Sequence, residues 1–117
     1  MTPRSALKAA VAAWNDGDLE AYLKLYADEA VLHGAEGTLD LAGARAFYAA
    51  MWERVPGARI ELEEIWEHTD RVGCRFAVSD PHGFRLEGVT ILRFAGGRCV
   101  ERMTVAEPRL SPGATAG

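Results

Sequence analysis

The sequence predicts one α+β domain in which helices come first and an antiparallel sheet follows. Three stretches with a single apolar face at helical spacing occupy the first half of the 117-residue chain. Four strand-like runs joined by short turns occupy the second half. Consecutive hairpins give an antiparallel meander, and the helices then gather on one face of that sheet. We expect residues 1–107 to form the domain and residues 108–117, rich in small residues and proline, to form a disordered tail.

The first two helices are predicted at residues 3–15 and 19–27, on either side of a tight turn. Thr2 is placed to cap the first helix. In the turn, Gly17 can adopt a positive φ after the first helix. The side chain of Asp18 can then accept hydrogen bonds from the free N–H groups that begin the second helix.

A short strand at residues 30–33 leads to a third helix at residues 41–54, for which Asp40 is the expected N-cap. After a Pro-Gly stop, the four strands of the meander are predicted at residues 59–67, 72–79, 84–94 and 99–106. The last two of these strands carry apolar side chains on both faces, whereas a sheet with one face in water shows polar residues there. We therefore expect a second copy of the chain to cover the outer face of the sheet, in a homodimer.

The composition argues against several classes of protein. The net charge of -4 at pH 7 leaves no basic stripe that could neutralise phosphates, so we expect no nucleic-acid partner. No stretch has the length of a membrane span or of a signal peptide's apolar region, so we expect no membrane partner and a cytoplasmic location. The two cysteines, Cys74 and Cys99, are expected to be reduced.

Several short motifs occur in a specific order: WNDGDLE at residues 14–20, LYADEAV at 25–31, ARAFYAAM at 44–51, ILRF at 91–94, and then Gly-Arg and Val-Glu pairs. Over about residues 5–107 the chain resembles the nuclear-transport-factor-2-like superfamily, in particular its SnoaL-like and ketosteroid-isomerase-like branch. The resemblance implies a cone, in which a curved antiparallel sheet wraps around three helices as a cystatin-like α+β roll. It also implies a pocket at the open end of the cone, and members are often dimers.

The catalytic positions of the family are occupied differently in this chain. In the isomerases a general-base Asp ends the first strand, and the matching residue is Gly34. Their two oxyanion donors match Ala10 and Thr90, and the last-strand acid of the cyclases matches Thr104. None of these residues can replace a carboxylate as a proton acceptor. The usual acid–base sets of the family are therefore absent.

Two residues are candidate catalytic proton handlers. His33 ends the first strand near the expected pocket rim and titrates in the right range for a general base. Strand alternation leaves open that it faces away from the pocket and is a hydrogen-bonded or interface residue. Asp80 shares the parity of Phe76 and could point into the mouth of the cone, but Asp80 at the start of Asp-Pro-His-Gly is also a typical β-turn residue.

Seven residues are candidate substrate-binding groups. The hydroxyl of Tyr48 could donate to a substrate carbonyl, although a core aromatic is an equal interpretation. Arg102 and Thr104 can face inward from the last strand, and a buried Arg102 needs a carboxylate partner or an acidic ligand. A salt-bridged or exposed arginine is the alternative interpretation of Arg102. The remaining candidates are Trp14, Tyr26, Phe76 and Thr90. The histidines show no metal-ligand spacing, and we expect neither a metal nor a cofactor.

The leading interpretation is a SnoaL-like pocket protein that binds an apolar, carbonyl-bearing or polycyclic small molecule. If the protein is an enzyme, the resemblance implies cofactor-independent proton transfer, as in a cyclisation, isomerisation or dehydration. The alternative is a non-catalytic ligand-binding or dimerisation module with a vestigial pocket. A cavity with a titratable group would favour the enzyme, and a cone filled by side chains would favour the module.

Overall fold

The computed structural model of the protein describes residues 2–35 and 37–109. The α+β class is confirmed, because helices precede and cover a six-stranded sheet. None of the helices in the described part of the chain has the length and apolar character that crossing a membrane requires. The elements are α1 (Pro3–Asn15), α2 (Leu19–Leu23), β1 (Tyr26–Gly34), β2 (Gly37–Leu39), α3 (Leu41–Arg54), β3 (Arg59–His68), β4 (Arg71–Ser79), β5 (Arg85–Ala95) and β6 (Arg98–Pro108).

The predicted caps begin all three helices. Thr2, Asp18 and Asp40 each accept a hydrogen bond from the backbone N–H three residues later, at 3.1, 3.0 and 2.8 Å. Gly17 has a φ of 84°, as the turn before α2 requires. The bounds of α1 and α3 are those predicted from the sequence, because local signals determine both ends of each helix.

The second helix is shorter than predicted. It ends at Leu23, and two residues that its apolar spacing included, Tyr26 and Ala27, begin β1 instead. The N–H of Cys99 donates to the carbonyl oxygen of Leu25 at 2.8 Å, and Tyr26 pairs with Cys99. Pairing with a strand that is distant in sequence therefore overrides the local helical pattern.

The six strands form one curved, unclosed sheet in the order β2-β1-β6-β5-β4-β3. Each bonded pair of consecutive strands is antiparallel, as predicted, but β1 lies parallel to β6. The expectation of a wholly antiparallel sheet is corrected at this pair. A hairpin determines the direction of two strands only when they follow one another, and β1 is separated from β6 by α3 and the meander.

The last strand extends further than the predicted domain boundary. β6 ends at Pro108, which pairs with Leu86, and the N–H of Arg109 donates to the carbonyl oxygen of Arg85 at 2.7 Å. The rest of the predicted tail, residues 110–117, lies outside the described residues.

The helices pack on the concave face of the sheet and are fastened to its β3 edge. The Nε1 of Trp14 donates to the carbonyl oxygen of Ala58 at 3.1 Å. The side-chain amide of Asn15 donates to the carbonyl oxygen of Ile60 at 2.9 Å and accepts from its N–H at 2.8 Å. The buried side chains shared by the two layers include Leu7, Val11, Trp14, Tyr22, Leu32, Val72, Cys74, Phe76, Leu92 and Phe94.

Gly88 is required by a close approach of β5 to β6. A Cβ atom at Gly88 would lie 2.3 Å from the carbonyl oxygen of Val105, which the strand pairing holds in place. We expect Gly88→Ala to lower the free energy of unfolding by about 2 kcal/mol, as overpacked sites do, measured by urea denaturation. Gly73→Ala is the control, because a Cβ atom there meets nothing closer than 3.5 Å. Equal losses in the two variants would contradict the prediction.

Candidate functional site

A cavity of about 170 Å³ lies between the helices and the concave face of the sheet. Gly34, Ala35 and Gly37, where β1 turns into β2, are part of its lining. Most of the wall is apolar and comes from both layers: Leu7, Val11, Trp14, Leu32, Phe47, Met51, Ile60, Leu62, Phe76, Val78 and Leu86. The interior of the cone is therefore not filled by the aromatic side chains of α1 and α3.

Arg102, in β6, is the centre of the polar end of this cavity. Its Nε donates to Thr90 Oγ1 at 2.8 Å. Its Nη1 donates to the hydroxyl oxygens of Tyr22 at 3.0 Å and Tyr48 at 3.3 Å, and also to that of Tyr26. All four partners are uncharged groups. Among the described residues, no carboxylate forms an ion pair with Arg102.

The hydroxyl groups around this guanidinium also bond to one another. The hydroxyl oxygen of Tyr26 lies 2.9 Å from that of Tyr22 and 3.1 Å from that of Tyr48. Thr90 Oγ1 lies 2.9 Å from Thr104 Oγ1 and donates to the carbonyl oxygen of Met103 at 3.1 Å. Together with Arg102, these side chains form a connected polar network that joins α2, β1, α3, β5 and β6.

Burial raises the pKa of the Tyr22 and Tyr26 hydroxyls well above the ordinary value for tyrosine. Their side chains are only 3% and 1% exposed, so a phenolate there would lose its hydration. The charge of Arg102 lowers both pKa values, but by less than burial raises them. Both phenols therefore keep their protons at neutral pH and do not balance the positive charge of Arg102.

We expect Tyr22 and Tyr26 to ionise only as the protein unfolds at alkaline pH. In the unfolded chain each loses its proton near pH 10, as free tyrosine does, whereas the folded state holds that proton to higher pH. The stability that this difference contributes is present below about pH 10 and falls as the pH rises beyond it. Tyrosinate absorbance and circular dichroism should therefore change together in a pH titration.

A Tyr22→Phe/Tyr26→Phe double variant is the control for this titration, since it lacks the two hydroxyls whose ionisation is expected to accompany unfolding. Reversible ionisation of both near pH 10, with the circular dichroism of the folded protein retained, would contradict the prediction.

His33 is part of the cavity lining, and both nitrogens of its ring are engaged. Nε2 lies 3.0 Å from Glu101 Oε2, and Nδ1 lies 3.2 Å from Thr38 Oγ1. The hydrogen bond from His33 lowers the pKa of the Glu101 carboxyl below its ordinary value. In the parallel pairing His33 is beside Met103, which is exposed on the outer face of the sheet. Strand alternation therefore turns the imidazole away from the side on which Arg102 lies.

Asp80 lies in the turn between β4 and β5. Its Oδ1 accepts hydrogen bonds from the N–H groups of His82 at 2.9 Å and Phe84 at 2.8 Å. It is not among the described residues that line the cavity. The β-turn interpretation thus accounts for its position, and its carboxylate has no bond to the network around Arg102.

The seven predicted substrate-binding residues converge on the cavity. Five of them line it, namely Trp14, Tyr48, Phe76, Arg102 and Thr104. Tyr26 and Thr90 are buried behind them and are bonded to Arg102. Tyr22 was missed as a polar group, because its helical spacing indicated only an apolar contact. The one signal in the sequence was that Tyr22 is the first of three tyrosines. The sequence does not show that their hydroxyls meet.

The cysteines offer no activated nucleophile. Burial raises the pKa of the Cys74 thiol, and it raises the pKa of Cys99 to about 11. Within the described ranges, no three His, Cys, Asp or Glu side chains are grouped so that they could hold a metal ion. What the cavity offers chemically is a cation and several hydroxyl groups in apolar surroundings, an arrangement that favours a negatively charged oxygen.

AclR, IdmH and TerC are among the solved structures that share this fold. AclR from Streptomyces galilaeus, a proposed hydroxylase, is 22% identical, with 90% of this chain and 88% of AclR covered at a TM-score of 0.79. IdmH from Streptomyces antibioticus, a proposed polyketide cyclase, is 23% identical, with 92% of this chain and 93% of IdmH covered at a TM-score of 0.79. TerC, crystallised with polyporic acid, is 23% identical, with 90% of this chain and 91% of TerC covered at a TM-score of 0.73. At these identities the likeness concerns the fold alone.

No curated protein matches the chain by sequence. The family model described as a SnoaL-like domain matches residues 7–102, from α1 to the arginine of the polar network. This match spans most of the chain, and the element order and the sheet agree with it. The chain belongs to the SnoaL-like domain family, within the nuclear-transport-factor-2-like superfamily.

Proposed function

We propose that the cavity binds an apolar, carbonyl-bearing or polycyclic small molecule, and that the polar network stabilises negative charge on one of its oxygens during a proton transfer. The observation that carries this proposal is Arg102, a cation bonded only to neutral groups at the end of an otherwise apolar cavity. Fixed donors in a site of low dielectric stabilise a developing oxyanion far more than water does. Tyr48 and Thr104, which line the same end, would orient the substrate.

The structural neighbours support this class of ligand. IdmH is described as a proposed polyketide cyclase, and TerC was crystallised with polyporic acid. The apolar wall of the cavity suits a flat ring system of that kind. A cyclisation, isomerisation or dehydration of such a compound begins when a proton next to a carbonyl group passes to a base, which here would be His33 of the cavity lining. The resulting enolate oxygen is the charge that Arg102 would hold.

Binding can be tested with a variant that fills the cavity. Leu62 lines the cavity from β3, while its neighbour Glu61 is exposed, so Leu62→Trp and Glu61→Trp add the same ring inside and outside the cone. Calorimetry with acetonaphthone should show binding to the parent protein and to Glu61→Trp, and a loss of about tenfold or more in Leu62→Trp. Equal affinity in all three proteins would place the ligand elsewhere and refute the proposal.

A non-catalytic binding module is the second candidate, and the engagement of His33 favours it. The His33 ring is bonded on both sides, and Asp80 is held in its turn, so neither predicted proton handler has a free position towards the cavity. Exchange of the methyl protons of acetonaphthone in heavy water, followed by NMR, separates the two. Exchange that requires His33 and disappears in His33→Gln supports the enzyme, and binding without any accelerated exchange supports the module.

We also propose that two copies of the chain associate through the outer face of the sheet. The outer patch consists of five exposed apolar side chains: Trp66, Val89, Ile91, Met103 and Val105. It is continuous across strands, because Val89 pairs with Val105 and Ile91 pairs with Met103. Arginine–glutamate pairs on β3, β4 and β5 flank it with both signs of charge. A second copy, turned by a two-fold axis, can match such a patch with itself.

We expect Ile91→Glu to convert a homodimer into a monomer at micromolar concentration. A charge in the centre of the outer patch would have to be buried without a partner in the dimer, which strongly disfavours association. Light scattering coupled to size exclusion measures the mass directly. Ala9→Glu is the control, since it adds the same charge to the exposed side of α1. A monomeric parent protein at this concentration would refute the dimer.

A further inference from the structure

We infer that the ligand of the cavity carries a permanent negative charge, as an aromatic or polycyclic carboxylate does, and that Arg102 Nη2 and a tyrosine hydroxyl bind this charge at the polar end. The inference rests on the proposed function, because it concerns the same cavity. It changes the ligand class from a neutral carbonyl compound to an acid with an apolar body.

The described residues leave the positive charge of Arg102 without a negative partner. Each ion pair among the described residues involves a basic side chain other than Arg102. The partners of Arg102 are the hydroxyls of Thr90 and of three tyrosines, of which Tyr22 and Tyr26 stay protonated at neutral pH. A partly buried cation with neutral partners alone is electrostatically unbalanced. One anionic group on the ligand restores the balance.

Nη2 is the nitrogen of Arg102 that faces the ligand. Nε and Nη1 of Arg102 donate to protein hydroxyls, whereas no described residue accepts a hydrogen bond from Nη2. In the described part of the chain, no buried side-chain nitrogen or oxygen is left without a partner. Nη2 is therefore accessible, and the space that it reaches is the cavity that Arg102 lines. A guanidinium nitrogen in this position matches a carboxylate oxygen.

The tyrosine hydroxyls around Arg102 carry one proton more than their bonds to one another use. Tyr22, Tyr26 and Tyr48 carry three such protons but make only two bonds to one another, both through Tyr26. All three oxygens accept from Arg102, so they cannot use their protons on it. Each of the two bonds uses one proton, so one proton remains. If Tyr26 donates in one bond and accepts in the other, the remaining proton is on Tyr22 or Tyr48. Both of these line the cavity, so this proton is a second donor beside Nη2.

The remaining walls define the rest of the ligand. Apolar side chains surround the polar end, and Phe76, Met51 and Leu86 are among them. Small inorganic anions would leave these walls without contacts. A neutral carbonyl compound could accept from the two donors, but it would leave the positive charge of Arg102 unbalanced. A monoanion with a flat apolar body uses both parts of the cavity. An aryl carboxylate is the simplest compound of this kind.

The test compares naphthoate with naphthamide, which has nearly the same shape and no charge. Calorimetry at neutral pH on the parent protein should give naphthoate an affinity about tenfold to a hundredfold higher, the value of a charge-assisted hydrogen bond over a neutral one. In Arg102→Gln this preference should disappear, because the cation is gone. Arg75→Gln, on the outer face of the sheet, should retain it.

The comparison of the two ligands on the parent protein does not depend on the folding of a variant. If naphthamide binds as tightly as naphthoate, the inference is wrong although the proposed pocket function stands. If neither compound nor acetonaphthone binds, both the inference and the proposed function fail. A preference for naphthoate that persists in a folded Arg102→Gln protein would place the anion at another site and overturn the inference.

Discussion

Replacing Trp14 with alanine is expected to destabilise the protein by about 3–5 kcal/mol, the range for removal of a large buried aromatic side chain. Trp14 is 3% exposed, and its ring centroid lies 4.7 Å from that of Trp52, 5.2 Å from that of Tyr22 and 6.0 Å from that of Tyr48. Its Nε1 also donates to the carbonyl oxygen of Ala58, the residue before β3. The rings of Tyr22 and Tyr48 cannot fill the resulting space without leaving the polar network. Urea denaturation followed by circular dichroism measures the loss.

Trp66→Ala is the matched control for this change. Trp66 is 55% exposed on the outer face of β3 and belongs to the outer patch. In the Ile91→Glu background, where we expect a monomer, its removal should alter the free energy of unfolding by less than about 0.5 kcal/mol. Losses of similar size at Trp14 and Trp66 would show that the aromatic cluster of α1 and α3 is not the centre of the core.

The elements predicted best are those whose ends are determined by adjacent residues. Thr2 and Asp40 cap α1 and α3 within three residues of themselves, so their sequence signals are complete. The hairpins of the meander are equally local. Tyr26 shows the limit of this reasoning, because it continues a helical pattern but is taken into β1 by its pairing with Cys99. Nothing near Tyr26 in sequence indicates that partner.

The polar network was predicted only as separate residues. Alternation on the last strand places Arg102 and Thr104 on one face, and the family resemblance indicates Tyr48 and Thr90 as pocket positions. The chain does not reveal that three tyrosine hydroxyls from α2, β1 and α3 meet at a single guanidinium nitrogen. Whether these hydroxyls meet depends on where each helix packs on the sheet. This packing is between segments that are distant in sequence. The same limit applies to the parallel pairing of β1 with β6.

Replacement of Asn15 is expected to have the second large effect on stability, because its side chain joins α1 to the edge of the sheet. Asn15 ends the first helix predicted from the sequence, and in the structure its amide forms two hydrogen bonds with the backbone of Ile60, at 2.9 and 2.8 Å. β3 is an edge strand, so on this side Ile60 has no neighbouring strand to bond to. In Asn15→Ala, the partly buried N–H and carbonyl oxygen of Ile60 lose the side-chain partner that they have in the protein.

We expect Asn15→Ala to lower the free energy of unfolding by about 2–4 kcal/mol, the sum for two unsatisfied groups, in urea denaturation. Asn15→Asp should also be destabilised, because it keeps an acceptor for the N–H of Ile60 but sets a carboxylate oxygen against the carbonyl oxygen. Asp16→Ala, one residue further along the same turn and exposed, should change stability by less than about 0.5 kcal/mol. If Asn15→Ala were no worse than Asp16→Ala, water would replace the amide at the β3 edge, and the joint between α1 and the sheet would rest on Trp14 and the apolar core alone.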